Sequence, residues 1–226
     1  MAMKKIIMEF SRKTFLHAGI ALLSLVLVVG TANAAGGFFD NFNDGTADGW
    51  ISVPPYSTNP EPSLGNWRVE SEMVVQDLGG DHYKFLHENQ VLGNQSVQAK
   101  VLAHDNGYAG LTIWHQNDDN WIDVYMYPAA GFFSVLSKQC ALSPCGRNWT
   151  ETIYPHVFTG DWQTLKLDAN STKGTIAVYL NGTYMFTHKV ASNIQRTGLS
   201  GFNSGNAGGS FDDFSVTKSA SSKKTQ

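Results

Sequence analysis

FFDNFNDG at Phe38–Gly45 and SFDDFSV at Ser210–Val216 are matching acidic, aromatic strand signals near the two ends of the chain, and nearly everything between them reads as short strands. Terminal strands that lie side by side close an antiparallel sandwich, so this pair decides the fold. Candidate strands between and including the second signal are Trp67–Val75, Tyr83–Leu86, Ser96–Ala103, Tyr108–His115, Trp121–Tyr127, Phe132–Lys138, Thr150–Ile153, Trp162–Asp168, Thr175–Leu180, Thr183–Val190, Gly198–Asn203 and Phe211–Lys218. No stretch among them sustains a helical period. Turn residues punctuate them, and Asn181-Gly182 between two alternating strands is the strongest hairpin signal. The architecture expected is all-β with two sheets.

Residues 1–34 read as a secretory signal peptide. Lys4, Lys5, Arg12 and Lys13 precede an apolar run from about Ile20 to Val29, and Ala32-Asn33-Ala34 ends it in small residues. The run is shorter than the ~18 residues a spanning helix needs, so no membrane insertion is expected after cleavage. What is left is 192 of the 226 residues, enough for one sandwich domain at 35–218. The tail SASSKKTQ at 219–226 is small and polar and reads as disordered. The signal carries four of the 16 Lys+Arg and one of the 19 Asp+Glu, which leaves 12 against 18 and a formal charge of −6. Such a balance argues against nucleic acid and anionic membranes as partners. Cys140 and Cys145, the only cysteines, stand in a chain marked for an oxidising compartment, secreted or periplasmic, and are expected to pair. VPPYSTNPEPSL at 53–64 has four prolines and reads as part of a long surface loop over Ser52–Gly65.

The runs NWRVESEMVVQD, AGLTIWHQNDDNWIDVYMY, DWQTLKLD, IAVYLNGTYMFTHKV and GLSGFNSGNAGGSFDDFSV together resemble the concanavalin A-like lectin/glucanase superfamily, in its laminin-G-like secreted bacterial form. The resemblance covers nearly all of Phe38–Lys218. It implies a two-sheet antiparallel jelly-roll sandwich, with carbohydrate met on the concave sheet. The superfamily includes lectins, binding modules, glycosidases, lyases and adhesion domains, so the fold leaves function open.

Three constellations carry candidate chemistry. In AGLTIWH and WIDVYMY, Leu111, Ile113, Ile122, Val124 and Met126 alternate against a set made of Trp114, Trp121, Asp123, Tyr125 and Tyr127. Rigid aromatics beside a carboxylate suit pyranose rings, whose C–H faces stack while their hydroxyls bond to the acid. The alternative is that these aromatics form a second core under a loop. Trp149, Arg147, Tyr83 and His82 stand where they could rim the same face.

The terminal segments offer Asp40, Asp44 and Asp212 in the density of oxygen ligands that Ca²⁺ takes. The resemblance adds a structural calcium held by Asp212, with Asp40 from the opening segment and a carbonyl near Gly65. If Phe214 and Val216 are core residues, strict alternation turns Asp212 inward, where it needs a cation or a hydrogen-bond cage. The remaining reading is plain solvation.

The resembling glucanases place catalytic carboxylates in an E-x-D-x-x-E or E-x-D-x-E strand; here Asp123 stands at the central position with Trp121 and Tyr125 at the flanking ones. The expectation is therefore a monomeric, secreted module that binds a polysaccharide or oligosaccharide without cleaving it. A hydrolase or lyase of the same fold, or an envelope adhesion protein, is the alternative.

Overall fold

The computed structural model describes residues 37–54, 64–140 and 149–219. The chain divides into residues 1–30 and 31–226, and every described residue belongs to the second unit. The signal peptide, most of the proline-rich loop, Cys145, Arg147 and the tail from residue 220 lie outside the described residues. Cys140 has no free thiol. Among the described residues no helix is long and apolar enough to cross a membrane.

Among the described residues fifteen strands make two antiparallel sheets. They are β1 (Gly37–Asp40), β2 (Trp50–Val53), β3 (Trp67–Glu70), β4 (Met73–Gln76), β5 (Tyr83–Leu92), β6 (Gln95–Ala103), β7 (Tyr108–Asn117) and β8 (Asn120–Tyr127). A 3-10 turn at Pro128–Ala130 leads to β9 (Phe132–Gln139), β10 (Thr150–Pro155), β11 (Gln163–Asn170), β12 (Thr175–Leu180), β13 (Thr183–Lys189), β14 (Gly198–Gly205) and β15 (Gly209–Lys218). The first sheet runs β13-β12-β11-β6-β15-β4-β3, with β1 also on β15; the second runs β10-β9-β8-β7-β14-β5-β2. The termini meet as the opening stretch requires: β1 lies antiparallel to β15, with Phe38 opposite Val216 and Asp40 opposite Phe214.

Alternation places the core. Val97, Ala99 and Val101 of β6, Leu165 and Leu167 of β11, and Ile176 and Val178 of β12 face Phe85, Leu111, Ile113, Ile122, Val124, Phe133, Val135 and Phe202 of the second sheet. Each fully buried side chain of this size contributes about 1.5–3 kcal/mol. An aromatic stack crosses this layer, with Trp50 4.9 Å and Phe211 4.5 Å from Phe202 between ring centres.

Three departures from simple alternation matter. Trp67–Val75 is a hairpin, β3 and β4, and not one strand: Ser71 and Glu72 turn with φ of 52° and 63°. Two non-glycine residues at positive φ give no turn signal in sequence. In β15 the register on β6 shifts between Asp212 and Ser215, and Asp213 takes a φ of 49°. This bulge inserts one residue, so Phe211 and Phe214, three apart, both reach the core. Asp212 therefore need not turn inward. In β7 the register on β8 shifts between Ile113 and Asn117, with Trp114 at φ 52°. Trp114 consequently joins Ile113 in the core, its indole N–H donating to the Gly93 carbonyl at 2.7 Å.

Candidate functional site

The outer face of the second sheet, turned away from the other sheet, gathers the residues that the aliphatic rows leave over. One cross-strand row runs Lys84, Asn203, Gly110, Tyr125 and Ser134; the next runs Leu86, Gly201, Thr112, Asp123, Leu136 and Glu151. Side chains paired in this way share a face. The two glycines are obligatory, because a Cβ would lie 2.1 Å from the Val124 carbonyl oxygen at Gly110 and 2.1 Å from that of Phe85 at Gly201.

At the centre, Lys84 Nζ lies 3.0 Å from Asp123 Oδ2, 3.8 Å above the Trp121 ring and 3.2 Å from the His82 carbonyl oxygen, to which it donates. Thr112 donates its hydroxyl hydrogen to Asp123 Oδ1 at 2.7 Å. Asp123 is wholly buried and Lys84 is 1% exposed. Burial pushes the Asp123 carboxyl up and the Lys84 ammonium down, and their mutual attraction opposes both shifts. Beside them Asn203 is also wholly buried, with neither its amide nitrogen nor its amide oxygen hydrogen-bonded.

Aromatic rings wall this centre. Tyr108, Trp121, Tyr125 and Leu136 form a second apolar cluster, with Tyr127, Phe132 and Trp149 packed at its margin. Tyr108 and Tyr125 lie 4.4 Å apart between centroids, and the Tyr108 hydroxyl accepts the His82 backbone N–H at 2.6 Å. His82 in turn packs edge-on to Trp149 at 5.2 Å. On the β10 side, exposed Glu151 accepts the Tyr125 hydroxyl at 3.0 Å and the Ser134 hydroxyl at 2.7 Å.

The expected exposed aromatic ladder is thus corrected in two ways. Trp114 belongs to the main core, for the bulge reverses it. Trp121, Asp123 and Tyr125 do share the outer face, yet they are buried, so they line an interior and offer no open platform; Tyr127 alone of the set is partly exposed. Tyr83 is turned elsewhere, its hydroxyl donating to the Gly79 carbonyl. Lys84, Asn203, Tyr108 and Glu151 join them with no motif in the sequence, and Thr112 follows from the alternation in AGLTIWH. The one other signal was Lys84, a lone cation inside the short apolar run YKFL.

The acidic termini are organised differently. Asp40 Oδ1 accepts the Phe42 N–H and Oδ2 the Trp50 indole N–H, both at 2.9 Å. Asp44 accepts the Thr46 N–H. Asp212 and Asp213 lie 3.7 Å and 2.6 Å from the Lys100 ammonium. Gly65, at φ +82°, has its own packing reason, since a Cβ there would come 2.9 Å from the Trp67 indole nitrogen. Among the described residues no three His, Cys, Asp or Glu side chains converge on one point. These side chains act as turn caps and in a lysine ion pair.

No family model matches the chain, and no curated protein matches it in sequence. Its structure is similar to the carbohydrate-binding module CBM66 from Bacillus subtilis, at a TM-score of 0.59 and 12% identity over 75% of this chain and 95% of that one. It is also similar to the Bacillus licheniformis β-glucanase, at 0.53 and 12% over 83% of this chain and 100% of the other. A β-1,3-1,4-glucanase from a mouse hindgut metagenome gives 0.56 and 10% over 81% and 100%. The fold is the concanavalin A-like jelly roll. At these identities the likeness speaks for architecture, and the chemistry has to come from the residues.

Proposed function

We propose that this domain binds a saccharide on the outer face of its second sheet and does not cleave it. The observation that carries the reading is Asn203. A buried amide with both of its atoms unsatisfied costs about 1–3 kcal/mol for each unpaired group, and an apolar residue of the same size would avoid that cost. A sugar hydroxyl donates and accepts, so a pair of them would supply what Asn203 lacks. On the same face stand Trp121, Tyr108 and Tyr125, flat apolar surfaces with polar tips, together with the Lys84–Asp123 pair as a charged anchor for further hydroxyls. A few polar groups set among aromatic walls is the usual make-up of a small-molecule site. Toward β10 the same face is partly exposed at Tyr127, Phe132 and Trp149 and open at Glu151.

The N-terminal export pattern and the fold of CBM66 accord with an exported module acting on polysaccharide outside the cytoplasm. The test is Asn203→Leu, assayed by affinity electrophoresis across a polysaccharide panel. Retention should fall at least about tenfold, while the melting temperature holds or rises because an unsatisfied amide has gone. Unchanged retention sinks the reading, and a large fall in melting temperature assigns Asn203 to structure.

One observation favours cleavage as a second reading: burial raises the Asp123 carboxyl, as a general acid requires. Against it, Lys84 and Thr112 hold that carboxyl, and Trp121 and Tyr125 stand where the resembling enzymes carry further acids. Reducing ends released from any member of the same panel would establish cleavage.

A further inference from the structure

A cavity lies at the β9–β10 edge of the second sheet, against the connection between β13 and β14. It has a volume of about 270 Å³ and is lined by Ser137, Gln139, Trp149, Thr150, Ala191, Asn193 and Ile194. Its frame is fixed. Ser137 and Thr150 are cross-strand partners of β9 and β10. Buried Asn120 clamps the connection from both sides, donating to the Gln195 carbonyl at 3.2 Å and accepting the Gln195 N–H at 3.0 Å.

The lining has a definite chemistry. Among the described residues of the lining four are neutral and polar, three are apolar and none is charged. Asn193 Nδ2 donates to Gln139 Oε1. That bond leaves Gln139 Nε2 to donate and Asn193 Oδ1 to accept, a donor and an acceptor of the kind that hydroxyls complement. The Ser137 and Thr150 hydroxyls can donate or accept. The volume falls just below the ~300–1,000 Å³ of pockets for drug-sized ligands, so it takes one ring and not a chain.

We infer that this cavity is a separate binding site for a single neutral, polyhydroxylated ring, a free monosaccharide or a chain terminus. The inference goes beyond the outer-face reading, because Trp149 is the one residue of the lining that also borders the outer face, and the inference stands if that reading fails.

The experiment is an NMR titration of the whole protein with glucose, galactose, mannose, fructose and N-acetylglucosamine, each to about 20 mM, in the range where one-ring affinities fall. At least one should give saturable shifts at residues 137–139, 150 and 191–194. Ala191→Trp, at an exposed position, should fill the cavity and weaken that binding at least about tenfold with the melting temperature unchanged. Asn193→Ala should weaken it to a lesser degree. Polysaccharide retention measured in parallel separates the two sites: Asn203→Leu should remove retention and keep the monosaccharide, and Ala191→Trp should do the reverse for a ring bound away from chain ends. No saturable shift with any sugar means a crevice filled by water only and overturns the inference. Saturable shifts that survive both Ala191→Trp and Asn193→Ala place the sugar elsewhere and overturn it equally.

Discussion

On the inner face of the second sheet, Phe85, Phe202, Leu111 and Val124 form one cross-strand row that meets the other sheet through carbon alone; one residue away along the same strands, Lys84, Asn203, Thr112 and Asp123 are buried on the outer face. The first row accounts for itself, because removing apolar surface from water drives folding. The second does not. A buried ion pair gains roughly nothing over well-packed apolar residues of the same volume, and Asn203 adds a further cost. Two faces of one sheet, equally dry, therefore have different reasons: the inner face is what the fold needs, and the outer face keeps polarity that the fold would do better without. Polarity kept at a cost, inside a wall of aromatics, is the pattern of a site.

The largest effect should come from splitting the outer pair. Lys84→Met leaves the Asp123 charge buried without its partner and should cost about 3–5 kcal/mol in urea unfolding. Lys84→Met combined with Asp123→Leu should restore stability to within about 1 kcal/mol of the parent while abolishing polysaccharide retention. If the single substitution is tolerated as well as an exposed one, the pair is solvated, and the contrast between the two faces fails.

How far this was legible follows from what alternation reports. It gives direction, and so it placed the inner rows, and put Trp121, Asp123 and Tyr125 together on the other side. It says nothing of exposure, because the cover over a sheet face comes from other parts of the chain; the outer face was expected open and is closed. Direction itself fails at bulges. Trp114 itself takes a positive φ at its bulge and Phe214 follows Asp213, which does so at the other, and neither type announces such a conformation. Hidden for the same reason was the turn at Ser71–Glu72. Lys84 meeting Asp123 is a contact between strands far apart in sequence, beyond the reach of any local pattern.

A smaller effect comes from histidines on the two sides. His87, stacked on Phe38 at 3.6 Å and edge-on to Trp50, is lowered to about 4 by burial. His115 is lowered to about 3, by burial first and then by the Lys84 charge. Both bind a proton less readily when folded than at the unfolded value of about 6.5, so the stability they contribute is whole above pH 6.5 and is lost as pH falls toward 4 and 3. At pH 5 the loss through His115 alone is about 2 kcal/mol. Melting temperature followed from pH 7.5 to 4.5 should fall, and His115→Gln should flatten the slope. A His115→Gln protein with the parent's slope would mean that His115 takes no part in the pH dependence.

The smallest effect expected is that of chelation, and it sharpens the comparison at the terminal strands. There too carboxylates are partly buried, but each already has a protein partner: Asp40 caps Phe42 and bonds Trp50, and Asp212 and Asp213 share Lys100. EDTA should therefore move the melting temperature by less than about 1 °C. A calcium held at a hundredfold excess over its Kd would stabilise by about 2.7 kcal/mol, and for a chain of this size its removal would lower the melting point by roughly 5–10 °C. A fall of that size would mean a cation bound through backbone carbonyls. The terminal acids would then join the outer face as polarity retained for a ligand, and the difference between the two regions would disappear.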